Sequence, residues 1–323
     1  MKNIKTSILI VFVLLLTYSC YKEDAIIPSA SENSERFIFP QGNSAFNLAA
    51  KAVYDEFGVK IIYKDFKDID FNLSWTNPAF GKIGYDIPED QQQEAVNFVV
   101  NHIFEYLNPK ITSKVLPPYF YVADSIHQRS DILPVLESVI ATTYFYAGLD
   151  FWSFTWNGKQ PWTKILSTGS ISYSAKINRP TNSFEYFYRR GVMLKEIYKK
   201  AVTIGNIIVP ENFNSGFDFT TAVKYASGTE NDVNYYKKRG FPGQMTNITN
   251  FNITSLSVVS RTGPTQNFID YLHLCMRYTP DSIEVLYPVA KYPVIHSKYP
   301  VVIKYMKDNY GIDLTEIAKK PQI

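Results

Sequence analysis

Hydrophobic positions from residue 44 onward recur first at helical and then at strand spacing. Within residues 44–57, apolar side chains at every third or fourth position share one helix face, and Gly58 follows as a stop. The segment VKIIYKDF, residues 59–66, predicts a strand. A second helix opens at Pro88, and its broad apolar stripe runs over residues 95–104.

The pattern changes between residues 111 and 177 to short β-rich runs. PPYFYVADSI, ESVIATTYFYAG and SISYSAKI are separated by Pro, Gly, Asn and Asp, which is typical of strands joined by turns. Three tryptophans, Trp152, Trp156 and Trp162, fall in this region. We expect them in the core, although clustered tryptophans could also form a ligand platform.

Helical spacing returns after Pro180, in the stretch YFYRRGVMLKEIYKKA at residues 186–201. Its apolar residues step by three and four, and five basic residues occupy the other sides: Arg189, Arg190, Lys195, Lys199 and Lys200. We expect this basic face to be solvated. Residues 205–264 are rich in Gly, Asn, Thr and Pro and predict loops, and residues 266–278 and 300–309 predict two more helices.

The order of these elements predicts a single α+β domain. An N-terminal helix and strand precede a central mixed sheet, and the C-terminal part is helical. The sequence contains no internal repeat that would favour a solenoid or a multidomain chain.

The N-terminus has the pattern of an exported lipoprotein. Lys2 and Lys5 precede an apolar run at residues 8–16, which is too short to span a bilayer, and the small residue Ser19 precedes Cys20 as in a lipobox. We predict a signal peptide at residues 1–19, a lipidated flexible tether at 20–36 and a folded domain at 37–323.

The residues after Cys20 predict where the anchored chain faces. Tyr21, Lys22, Glu23 and Asp24 resemble the export signal of Bacteroidetes lipoproteins that reach the exterior of the outer membrane, although a plain solvated linker has the same composition. We therefore expect a lipid-anchored outer-membrane protein that faces the cell exterior.

Charge and cysteine content narrow the classes of function. The 33 Lys and Arg residues include Lys2 and Lys5, so the mature chain would carry 31 against 30 Asp and Glu. A nearly neutral chain lacks the basic face that nucleic acids require, and we expect no nucleic-acid partner. Cys275 would be the remaining thiol, and its apolar neighbours predict a core position.

Familiar catalytic motifs are missing from the sequence. The four histidines form no HExxH pattern, and CxxC, GxSxG and P-loop motifs are missing too. Asp270 and His273 stand three apart on a predicted helix and are weak metal candidates, but a zinc site needs further ligands that the sequence does not indicate.

Several segments resemble those of the substrate-import-associated zinc metallohydrolase lipoproteins of Bacteroidetes. They are the lipoprotein start at Cys20, KAVYDEFGVKIIYKDF, QNFIDYLHLCMRYTPDSIEV and VVIKYMKDNYGIDLTEI. The resemblance implies a zincin-like fold, in which the helix after the sheet would carry HExxH. The matching helix places Gly191-Val192-Met193-Leu194-Lys195 over that motif, so Gly191 and Lys195 stand at the ligand positions. We therefore predict no catalytic residue, no bound metal and no cofactor.

Three hypotheses follow from a degenerate motif on such a scaffold. The first is a non-catalytic lipoprotein accessory to a SusC/SusD-type TonB-dependent nutrient importer, which binds importer subunits or a peptide or glycan cargo. Its cleft would be lined by tyrosines: Tyr186, Tyr188, Tyr198, Tyr235 and Tyr236. The second is an active zinc peptidase with an atypical site that includes Asp270, His273 and His127. The third is a purely structural importer component.

Overall fold

The computed structural model describes residues 35–71, 80–130, 136–139, 145–148, 150–157, 162–165, 168–173, 178–256 and 263–322. Contacts divide the chain into two units, Met1–Ile38 and Phe39–Ile323. In the described part of the first unit, the guanidinium of Arg36 lies 4.3 Å from the ring centroid of Phe37. The second unit contains all the helices and strands given below.

The N-terminal elements confirm the predicted helix, strand and second helix. They are α1 (Ala45–Phe57), β1 (Lys60–Ile62), β2 (Phe80–Gly84), α2 (Gln92–His102) and α3 (Pro109–Thr112), with 3-10 turns at Asp68–Phe71, Glu89–Gln91 and Phe104–Tyr106. Gly58 ends α1 in the left-handed conformation, with φ at 70°, which glycine adopts without steric cost. The strand β2 was not predicted, because its alternation is weak.

The central region is β-rich as predicted, but the strands that the structure describes form three sheets. The strands are β3 (Tyr119–Ala123), β4 (Ile126–Ser130), β5 (Leu136–Val139), β6 (Phe145–Ala147), β7 (Phe151–Thr155), β8 (Trp162–Ile165) and β9 (Ile171–Tyr173). The largest sheet has the order β1-β3-β7-β6, with β6 antiparallel at the edge and the other pairs parallel. The others, β2-β4 and β5-β8-β9, are antiparallel.

The middle strands of the largest sheet are covered on both faces. Phe120 to Ala123 in β3 and all of β7 are buried, including the polar Ser153 and Thr155 of β7, so neither strand has an exposed face. Trp152 and Trp156 are buried in the core, which confirms the predicted core position for these two tryptophans. Trp162 lies in β8, and its side chain is outside the described part.

The C-terminal part is helical, with more helices than predicted. They are α4 (Ser183–Thr203), α5 (Pro264–Arg277), α6 (Pro280–Leu286), α7 (Pro293–Tyr310) and α8 (Leu314–Ala318). The predicted start of α7 at Pro300 is wrong, because the helix begins at Pro293 and continues through Pro300. Between α4 and α5, residues 204–256 form turns and isolated bridges, as the loop-rich composition predicts.

One large hydrophobic core joins the sheet to the long helices. It includes Phe120, Phe154, Val192, Leu272 and Val302, from β3, β7, α4, α5 and α7. Cys275 is buried within it, which confirms the sequence prediction. The fold is therefore mixed α+β, with α4 at the centre of the packing.

None of the helices that the structure describes is both long enough and apolar enough to cross a bilayer.

Candidate functional site

The helix α4 occupies the position where the family resemblance places a metal site. Asn182 caps its N-terminus, because the Asn182 side chain accepts a hydrogen bond from the Glu185 backbone N–H at 3.1 Å. Buried residues lie on all its sides, since α5 packs against it and carbonyls from the end of β7 reach its side chains. This helix of 21 residues is therefore packed against neighbouring elements along most of its length.

Gly191 stands where the first zinc ligand would be expected, and a phenyl ring fills the space beside it. A Cβ atom built on Gly191 would overlap the ring of Phe251. That ring is fully buried and packs edge-on against Phe187, with ring centroids 5.5 Å apart. The neighbouring Val192 points into the core and is also fully buried. Apolar side chains therefore cover this turn of the helix.

Lys195 stands at the second ligand position and has 0% exposure. Its ammonium donates a hydrogen bond to the backbone carbonyl of Asn247 and lies 3.2 Å from the Glu196 carboxylate. Burial lowers the pKa of Lys195, and the nearby Glu196 carboxylate opposes that shift. Its ammonium is occupied as a hydrogen-bond donor and offers no lone pair to a metal.

His273 lies behind Lys195, on the facing helix α5. Its Nε2 donates to the backbone carbonyl of Lys195 at 3.2 Å, which leaves Nδ1 as the atom with a lone pair. This Nδ1 has no hydrogen-bond partner among the described residues. Burial, followed by repulsion from Lys195, lowers the pKa of His273 to about 3, so the ring is neutral at physiological pH.

Asp270, the other weak metal candidate, is one turn earlier on α5 and is also buried. Its Oδ1 accepts a hydrogen bond from Gln266 Nε2 at 2.8 Å. Burial raises the pKa of Asp270 well above its usual range, so the carboxyl is held toward its neutral form.

These residues do not fit a zinc ion. A zinc site in a protein takes about four ligands from His, Cys, Asp or Glu, or three and a water. No group of three such side chains comes together within the described residues. Gly191 lacks a ligand atom, Lys195 carries a positive charge, and His273 offers a single lone pair inside the core.

The five tyrosines proposed as a cleft do not come together in one opening. Tyr186 donates to Glu94 at 2.9 Å, and the fully buried Tyr198 donates to the carbonyl of Tyr106 at 2.6 Å. Tyr188 is half-buried on the Phe251 side of α4. Tyr235 and Tyr236 are buried in a separate cluster in the 204–256 segment.

The predicted solvation of the basic face of α4 is wrong. Arg189 and Arg190 are each 1% exposed. The Arg189 guanidinium donates to the backbone carbonyls of Thr155 and Trp156 at the end of β7. The Arg190 guanidinium donates to the backbone carbonyls of Ile317, at 2.7 Å, and of Lys319. The aromatic residues directly before the arginines, Tyr186, Phe187 and Tyr188, were a signal of burial on these sides that amphipathic spacing alone does not reveal.

No protein-family model matches the sequence, and no curated protein matches it. Among solved structures, the chain is similar to the crystal structure of a "putative zinc-binding metallo-peptidase" from Bacteroides caccae. The TM-score is 0.39 at 11% identity, over 86% of this chain and 91% of that chain. A likeness this distant transfers no residue role.

Proposed function

We propose that the protein is a non-catalytic surface lipoprotein on a zincin-like scaffold, accessory to a SusC/SusD-type TonB-dependent nutrient importer. The observation that supports the loss of catalysis is the closed turn of α4, where Phe251 covers Gly191 and Lys195 is held by the Asn247 carbonyl. A metal and a substrate would both have to displace buried, hydrogen-bonded groups to reach this helix.

The same closure bears on where a partner binds. A peptide or glycan cannot lie over α4 while the Phe251 ring and the buried tyrosines occupy that space. Binding therefore belongs on an outer surface of the 39–323 unit, where importer subunits could dock or cargo could be held. The same closure also supports a purely structural role in the importer. In that role the protein would bind importer subunits and no cargo.

Zinc analysis tests the non-catalytic part. We expect the purified mature protein, after dialysis against zinc-containing and then zinc-free buffer, to retain well below one zinc per chain by mass spectrometry. We also expect no cleavage of denatured casein. Stoichiometric zinc that is lost, together with peptidase activity, in His273→Ala would overturn the proposal.

Association with an importer tests the accessory part. We expect cross-linking of the tagged full chain in its native outer membrane to recover a TonB-dependent transporter and its lipoprotein partner. In Cys20→Ala, which cannot be lipidated, the chain should leave the membrane fraction and the cross-links should disappear. Recovery of no transporter subunit from intact cells would contradict this part and leave the zinc result standing.

A further inference from the structure

An open groove lies on the surface away from α4. It has a volume of about 510 Å³ and is bounded by α6, α7 and the start of α8. Along α7 its wall runs from His296 to Lys307 in steps of three and four residues, so one continuous face of the helix is left uncovered. The size falls within the range of about 300–1,000 Å³ that is typical of ligand sites.

The floor of the groove is apolar. Ile283 from α6 and Pro300 and Ile303 from α7 supply it, and the ring of Tyr299 borders them with its hydroxyl committed to the Tyr278 carbonyl at 2.6 Å. Such a floor favours hydrocarbon side chains of a ligand.

One end of the groove can accept an ammonium group. Glu284 lies there with a largely exposed carboxylate, and its Oε1 accepts a hydrogen bond from His296 Nε2 at 2.8 Å, which leaves Oε2 available. Pro300 has no N–H, so the backbone carbonyl of His296 lacks its helical donor. A carboxylate and a carbonyl without its usual donor therefore stand at the same end.

The other end of the groove carries two lysines. Lys304 and Lys307 line it with exposed ammonium groups, which pair with Asp308 at 2.5 Å and with Asp313 at 2.9 Å. Ion pairs this exposed are weak, and each ammonium has three N–H donors, so both lysines can also donate to the carboxylate of a ligand. From His296 to Lys307 the wall is about 16 Å long at 1.5 Å per helical residue, which is the span of about five extended residues.

We propose that this groove binds a short apolar peptide with free termini, of about five residues. Its N-terminal ammonium would lie at Glu284 and the His296 carbonyl, its side chains over Ile283 and Ile303, and its C-terminal carboxylate between Lys304 and Lys307. This proposal rests on the proposed function in one respect: it identifies the cargo of the accessory lipoprotein as a peptide.

Calorimetric titration with the pentapeptide Val-Leu-Ala-Leu-Ala tests the proposal. We expect saturable binding of the unblocked peptide to the mature protein, and weakening by about threefold or more when the N-terminus is acetylated or the C-terminus is amidated. Equal binding of all three forms, or no binding of any, would overturn the proposal.

Two variants on α7 separate the groove from the rest of the helix. Ile303→Arg places a charge on the floor and should weaken binding more than about tenfold. Val301→Arg is the matched control, because Val301 is exposed on the same helix and does not line the groove. Circular dichroism melts must show both variants folded, and Glu284→Gln, a surface change, gives a second measurement if Ile303→Arg is unstable. Equal affinity in Ile303→Arg and Val301→Arg, or full affinity in a folded Glu284→Gln, would reject the groove.

The importer cross-linking described above distinguishes this inference from the proposed function. If Ile303→Arg loses peptide binding and keeps its cross-links, the groove is a cargo site. If it loses cross-links and the wild type binds no peptide, the groove docks an importer subunit and the peptide proposal is overturned. If peptide binds but no importer is ever recovered, the accessory function fails while the groove stands.

Discussion

The hydrogen atom that serves Gly191 as a side chain leaves room for the ring of Phe251 against α4. A residue with a helix-favourable side chain would stabilise an isolated helix here by about 1 kcal/mol relative to glycine. The presence of glycine in the middle of a long buried helix is thus explained by its neighbour across the interface.

Gly191→Ala should therefore destabilise the protein in spite of its better helix propensity. We expect a net loss of about 1–2 kcal/mol in the free energy of unfolding by urea, since overpacking outweighs the propensity gain. Gly263→Ala, at the N-cap of α5, is a control for the added methyl group, because a Cβ there meets no described atom within 4 Å and the backbone φ is −74°. It should cost no more than about 1 kcal/mol, through the weaker cap. In a Phe251→Ala background the Gly191→Ala change should become neutral or stabilising. A neutral Gly191→Ala in the wild-type background would mean that the ring does not close this turn.

The buried imidazole of His273 makes stability depend on pH. Its pKa is lowered to about 3 in the folded protein from about 6.5 in the unfolded chain, so between these values the unfolded state binds more protons. The stabilising contribution is complete above about pH 6.5 and is lost as the pH falls toward 3.

His273→Gln should remove this dependence. From pH 7 to pH 4.5, wild type is expected to lose about 2 kcal/mol more stability than the variant. Asp270, whose raised pKa acts in the opposite direction, is present in both proteins and cancels in the comparison. Parallel pH profiles of urea unfolding for the two proteins would show that His273 is not neutral in the fold.

At the scale of elements, the buried Arg189 and Arg190 and the half-buried Lys200 of α4 join parts of the chain that are distant in sequence. Arg190 donates to carbonyls at the end of α8, Arg189 to carbonyls after β7, and Lys200 to the carbonyl of Val115 at 2.7 Å. Each long side chain satisfies carbonyls that would otherwise lose water without gaining a donor. The basic residues of α4 are in this way structural.

Arg190→Leu should loosen α8 in particular. Two carbonyls, those of Ile317 and Lys319, would lose their donor, and we expect a cost of about 2–4 kcal/mol together with faster amide exchange over Leu314–Ala318. Arg179→Leu removes an arginine that is half-exposed and 3.6 Å from Glu94, and it should cost no more than about 1 kcal/mol. Similar effects from the two substitutions would mean that Arg190 does not hold α8.

Prediction from sequence succeeded best for α1, α4 and the loop-rich segment, because spacing, caps and turn residues are local signals. It failed for the division of the strands into three sheets and for the start of α7. Strand pairing is decided by residues far apart in sequence, as when Lys60 pairs with Tyr119, and local pattern does not specify it. Pro300 suggested a helix start, but packing of Tyr299 and Val302 in the core holds the helix together through it.

At the scale of the whole molecule, the reactivity of the Cys275 thiol is a measure of how often the core opens to solvent. It is fully buried among residues of α4, α5 and α7, and burial raises the pKa of its thiol. Its thiol lies 3.6 Å from the Tyr299 carbonyl.

In a Cys20→Ala variant, Cys275 is the only thiol, and its reaction with a disulfide reagent should require global unfolding. We expect labelling in native buffer to be slower than in urea by about a thousandfold or more. A cysteine introduced by Val285→Cys, at a side chain 78% exposed, should react at once. Fast labelling of Cys275 in folded protein would show that the core around α5 opens separately.

The sequence by itself determined the α+β composition, the central helix α4 and its chemistry, because helical spacing and the identity of each side chain are local properties. It also determined that Gly191 and Lys195 cannot supply zinc ligands, since glycine has no side chain and an ammonium repels a cation. The tertiary structure alone decided that Phe251 closes over Gly191, that three cations of α4 are buried and that α7 leaves a groove open. These depend on contacts between residues distant in sequence, where burial and hydrogen-bond partners are set by how the elements pack.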